Sequence, residues 1–113
     1  MPQNKNQARL NEDMKRELIA IIGEMKDPRV QGLLTVTRVE VAPDLSSARV
    51  FVSKMGEENA TQNAVAALGH AAGHVRTEIS KRMHIRKAPE FRFLPDDSAA
   101  YADHINTLLA GLN

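Results

Sequence analysis

Residues 33–41 and 48–53 are two runs rich in β-branched side chains, and between them stands a polar turn with proline inside it, Ala42-Pro43-Asp44-Leu45-Ser46-Ser47. Two such runs on either side of a short turn read as a β-hairpin. Alternation in the second run is clean: Ala48, Val50 and Val52 share one face, with Arg49, Phe51 and Ser53 on the other. In the first run the phase slips, because Leu34 and Val36 are even-numbered while Val39 and Val41 are odd. A β-bulge near Thr37-Arg38 restores one apolar face to the strand.

The flanking segments change period. Leu10, Met14, Leu18, Ile21, Ile22 and Met25 trace one face of a helix spanning 7–25. Asn6 is placed to cap it, and Asp27, pushed out of helical geometry by Pro28, ends it. Lys15, Arg16 and Lys26 fall on its wet side. After a loop at Gly56-Glu57-Glu58-Asn59, a second helix is predicted from Thr61 to Ala71, with Val65, Ala66, Leu68 and Ala72 as core candidates. Gly73 interrupts that pattern, which resumes with Val75, Ile79 and Met83. Glycine inside a helix costs about 1 kcal/mol relative to alanine, so Gly73 marks a kink or break. Pro89-Glu90-Phe91-Arg92-Phe93-Leu94 reads as a short strand with Phe91 and Phe93 in the core. Pro95-Asp96-Asp97-Ser98 reads as a turn and cap. Tyr101, Ile105, Leu108, Leu109 and Leu112 complete a last amphipathic helix.

A chain of 113 residues, 42% apolar and 26% charged, is long enough for one core and too short for two. One domain over 1–113 is therefore expected, with flexible ends at 1–6 and 111–113. The absence of cysteine excludes disulfides, cysteine nucleophiles and thiolate metal sites. The first residues, Met1 to Gln7, are polar, so no secretory h-region is expected there, and no apolar run approaches the roughly 20 residues that span a bilayer. A soluble cytoplasmic protein is expected.

Net charge is only +1, but it is unevenly spread. Between His74 and Arg92 the six basic residues Arg76, Lys81, Arg82, Arg86, Lys87 and Arg92 face only Glu78 and Glu90, a local charge of +4. Clustered arginine and lysine displace counterions from a phosphate backbone and fork onto its oxygens. These six are the candidate RNA-binding residues, with Arg29 and Arg49 as further candidates. Aromatic side chains are only 4% of the chain. Backbone and shape recognition of folded RNA is therefore favoured over base-by-base readout.

The order helix, strand, strand, helix, break, helix, strand matches an α+β, type II KH-like domain with an additional C-terminal helix. The words of the sequence are more specific. Arg16-Glu17-Leu18, Lys26-Asp27-Pro28-Arg29-Val30 and the hairpin Thr35 to Val50 resemble the ribosome-binding factor A family. So do Ala71-Ala72-Gly73, Arg76, Glu78, Lys81-Arg82, Ile85-Arg86, Pro89 to Phe93, Asp97-Ser98 and Ile105 to Leu109. The resemblance runs over roughly residues 8 to 110 and departs at His74 and Ala102. It implies a non-enzymatic protein, monomeric and without cofactor, that binds the small (30S) ribosomal subunit and its 16S rRNA near the decoding centre. It also implies assistance with late maturation, including processing of the 5′ end of that RNA, most needed in the cold. The Gly-x-x-Gly loop with which KH domains grip single strands is absent. Ala71-Ala72-Gly73 stands in its place, as the family's helix kink.

Two other classes compete. His70, His74 and Glu78 at i, i+4, i+8, with Asp96-Asp97 and Asp103-His104, have a spacing that could serve a metal hydrolase. No His-Glu-x-x-His motif supports it. A protein-docking module, or a generic RNA-binding KH-like protein, is the remaining alternative. A protein-docking module predicts binding indifferent to salt, whereas RNA binding predicts steep loss as salt rises.

Overall fold

The computed structural model describes residues 5–56 and 58–96. The expected last helix, the Asp97-Ser98 turn, Ala102, Asp103-His104 and both chain ends lie outside the described residues. Within them the order is α1 (Lys5–Glu24), β1 (Leu34–Val41), β2 (Ser47–Lys54), α2 (Ala60–His70), α3 (Ala72–Arg82) and β3 (Glu90–Pro95). The three strands form one sheet in the order β1-β2-β3, with β1 antiparallel and β3 parallel to β2. This mixed α+β arrangement fits the type II KH pattern.

Period-2 alternation decides which way the sheet faces. Val36, Val39, Val41, Ala48, Val50, Val52, Phe91 and Phe93 are buried against the helices. The register of β1 on β2 shifts between Val36 and Arg38, so the bulge falls at Thr37. It puts Val36 before the slip and Val39 and Val41 after it onto the same apolar face. Met14, Leu18, Ile21 and Ile22 of α1, Leu68 of α2, and Val75 and Ile79 of α3 close the core. Phe91 and Phe93 stack with ring centroids 6.4 Å apart.

Several expectations shift. Asn6 is inside α1 and does not cap it. On α2 the buried stripe is Ala64, Ala67 and Leu68. Ala66 is exposed, and Val65 and Ala72 only flank the core. Small residues all along that segment made the phase of the stripe hard to assign. The interruption between α2 and α3 falls at Ala71, whose N–H is shared between the Ala67 and Leu68 carbonyls at 3.1 Å each. Gly73 lies in the first turn of α3, and a Cβ there would meet nothing within 4 Å. The backbone at Gly73 thus places no demand for glycine.

Lys15 is not simply on the wet side. Gln7, Asn11 and Lys15 form a stripe on α1 that reaches the edge strand β1. Gln7 Nε2 donates to the Val41 carbonyl (2.6 Å), the Val41 N–H donates to Asn11 Oδ1 (3.0 Å), and Lys15 Nζ donates to the Thr37 carbonyl (3.4 Å). Polar side chains thus partner edge backbone groups that would otherwise be open to another chain.

Candidate nucleic-acid interface

The basic stretch begins on α3 and continues through the turn into β3. The turn is built by the backbone. The Ile85 N–H reaches the Ser80 carbonyl at 3.2 Å, and His84 adopts φ +53. That is the Schellman pattern for ending a helix, with His84 where glycine is usual. Ser80 Oγ donates to the Ile85 carbonyl (2.8 Å), and Arg76 Nε donates to the Ala88 carbonyl (3.0 Å). Ala88 and Pro89 are buried. The segment between α3 and β3 is therefore anchored at both ends, while Arg86 and Lys87 between the anchors are exposed.

The six predicted cations separate into three groups. Lys81, Arg86 and Lys87 form an exposed group at the end of α3 and in the turn. Lys81 is 72% exposed and loosely paired with Glu78 at 3.7 Å. Arg86 and Lys87 have no ion partner among the described residues. Arg76 and Arg82 are used inside the fold. Arg82 Nη2 lies 2.8 Å from Glu24 Oε2 on α1 and 3.4 Å from Glu78 Oε1, and only 26% of its side chain is exposed. The hydrogen bond to Glu24, opposed in part by burial, raises the Arg82 pKa further above its ordinary value. Arg82 is thus a strut between α1 and α3.

Arg92 stands apart. It points from β3 to the face of the sheet opposite the helices, and its register partner is Arg49 on β2. The same face carries Arg38 and Glu40 of β1 and Phe51 of β2. The Arg38 guanidinium lies over the Phe51 ring at 4.2 Å, and Arg49 approaches it at 5.9 Å. Glu40 holds both arginines, Arg38 Nε at 3.1 Å and Arg49 Nη2 at 2.6 Å. An open groove of about 560 Å³ is lined by Glu40, Pro43, Ser47, Arg49 and Arg92. Arg38 escaped the sequence reading. The signal that could have found it was the bulge, which turns Arg38 onto the side of Arg49 and Phe51.

Arg29 is also committed within the fold. Its Nε and Nη2 donate to the two oxygens of Asp27 at 3.1 and 2.8 Å, and its backbone N–H adds a third bond at 2.9 Å. The side-chain hydrogen bonds from Arg29 hold the Asp27 carboxyl at a pKa of about 2. Asp27-Pro28-Arg29 is thus a self-locked turn. Lys54 Nζ fastens it to β2 through the Pro28 and Arg29 carbonyls. His70 and His74 are exposed on either side of the Ala71 break. Among the described residues no three histidine or carboxylate side chains converge as a metal site would require. No described helix is long and apolar enough to cross a membrane.

Comparison with known proteins adds four findings. The family model described as Ribosome-binding factor A matches residues 6–109. A relative named Ribosome-binding factor A, from Desulfitobacterium hafniense, is 47% identical over 105 residues, covering 92% of this chain and 83% of that one. Among solved structures, the crystal structure of ribosome-binding factor A from Thermus thermophilus superimposes with a TM-score of 0.71 at 34% identity, over 79% of this chain and 93% of that one. A homology model of the Thermus thermophilus factor, fitted into the cryo-EM map of its complex with the 30S subunit, matches with a TM-score of 0.59. Its identity is 29%, over 85% of this chain and 97% of that one.

Proposed function

The chain belongs to the ribosome-binding factor A family, and from that premise we propose that it binds free or immature 30S ribosomal subunits and assists their late maturation. It contacts 16S rRNA, including the 5′-terminal region whose processing it helps complete, and its contribution is greatest in the cold. It acts in the cytoplasm as a monomer, by binding and not by catalysis. The family match along residues 6–109 carries this reading, and the placing of a Thermus thermophilus homologue in a 30S map supports it. The exposed cations supply the chemistry: Lys81, Arg86 and Lys87 sit on a braced turn where phosphate can reach them without dismantling the fold.

Co-sedimentation of the purified protein with small subunits, repeated across a salt series, tests the reading. Binding should be present at about 50 mM salt and fall steeply by about 200 mM. Charge reversal of Lys81 and Arg86 to glutamate should weaken it while circular dichroism stays unchanged. Arg82 is the wrong residue to reverse, because a carboxylate there would face Glu24 and Glu78. The competing protein-docking reading draws on an apolar groove lined by Ile19, Ile22, Met25, Val30 and Leu34. It requires binding that ignores salt, and that result would displace RNA recognition.

A further inference from the structure

We infer that the face of the sheet covered by none of the described helices is a second RNA-contact surface, on which Arg49 and Arg92 grip a phosphate and Arg38, stacked on Phe51, offers its outer plane to an unpaired base. The inference rests on the reading of this chain as an rRNA binder and adds where the strand is held.

Three observations carry it. Arg49 and Arg92 stand abreast on neighbouring strands. Like charges directly opposite each other in a sheet are destabilising unless something neutralises them. Glu40 answers Arg49 at 2.6 Å, while Arg92 has no ion partner among the described residues. An anion in the groove they line would answer Arg92 and give Arg49 a second partner, and a phosphate suits the guanidinium fork. Glu40 and Glu90 are the only carboxylates on this face of the three strands, against Arg38, Arg49 and Arg92. Glu40 is already engaged, and Glu90 stands at the start of β3, paired in register with Ser47 and away from Phe51.

The second observation is Arg38. Its guanidinium is fixed by the Phe51 ring on one side and by Glu40 at its edge. A long, free arginine loses rotamer entropy on binding, and this one has already lost much of it. The Arg38 side chain is 55% exposed, which leaves room for a base on the side away from Phe51. Bases stack on guanidinium planes as they do on aromatic rings. The third observation is continuity: the groove beside Arg49 and Arg92 lies one strand from Arg38, so one nucleotide can reach both with its phosphate and its base.

The test is fluorescence anisotropy with a labelled single-stranded RNA of about 12 nucleotides, run beside co-sedimentation with small subunits. The Arg49→Ala/Arg92→Ala variant should bind the oligonucleotide more weakly, with the slope of log K against log salt shallower by roughly 0.7 for the one lost phosphate contact. Arg38→Lys keeps the charge and removes the plane. It should weaken binding roughly fivefold or more with the slope unchanged, which a merely structural or purely electrostatic role would not produce. Arg92→Ala alone, a residue tied to no described partner, guards against misfolding as the cause. Wild-type affinity and slope in all three variants, while wild-type protein still travels with small subunits, would overturn this surface and leave the proposed function standing. Wild-type protein that binds the oligonucleotide but not small subunits would instead remove the ribosomal reading, and the variants would still decide the surface. Co-sedimentation that ignores salt, together with no binding of the oligonucleotide, would overturn the inference.

Discussion

The two faces of the one sheet are made from alternate residues of the same three strands, and they do opposite work. On the helix side Val36, Val39, Val41, Ala48, Val50, Val52, Phe91 and Phe93 are buried. On the other, Arg38, Glu40, Arg49, Phe51 and Arg92 form a charged lattice around one half-buried ring. Each buried side contact adds to folding through water removed from apolar surface. The open lattice adds little, since exposed ion pairs contribute only about 0–1 kcal/mol each. Stability and recognition are thus separable here by a single step along a strand.

Neighbours on β3 give the largest test of that contrast. Phe93→Ala empties a core position and should cost about 3–5 kcal/mol in urea unfolding. Arg92→Ala, one residue away, should stay within about 0.5 kcal/mol. Comparable losses from both would mean the two faces are not independent. A middle-sized effect is expected at the edge of the sheet. Asn11→Ala leaves the Val41 N–H buried without its 3.0 Å acceptor and should cost about 1–3 kcal/mol, with faster hydrogen exchange at Val41. If Asn11→Ala costs nothing, α1 does not seal that edge. The smallest effect lies at the end of α3. His84 is exposed and sits at φ +53, where a side chain is strained and glycine is not. His84→Gly should raise stability by about 1 kcal/mol, partly offset by the freer unfolded chain. RNA binding should not change. A loss of stability would show that the histidine itself braces the turn.

The features legible in the residues alone were those that depend on near neighbours. The hairpin, its bulge at Thr37, the long first helix, and the burial of Phe91 and Phe93 all follow from periodicity within a dozen residues. The phase of α2 did not, because Ala60, Ala64, Ala66 and Ala67 offer small side chains all round the helix. The basic stretch was visible as a local excess of charge, but its division was not. Arg82 meets Glu24 across 58 positions of sequence, and Arg76 is taken by a backbone carbonyl at Ala88. Counting charges along a chain cannot tell a strut from a free cation.

Short-range patterning was enough for the order of the elements and the apolar side of each strand, because backbone propensity and side-chain alternation act over a few residues. Which cations remain available, and which stand together, emerged only when the elements packed. Arg49 and Arg92 are abreast because β3 returns parallel to β2 through two helices, and Arg38 joins them because one bulged residue reverses its side. Those meetings depend on strand order and register, which are set by packing the whole core at once.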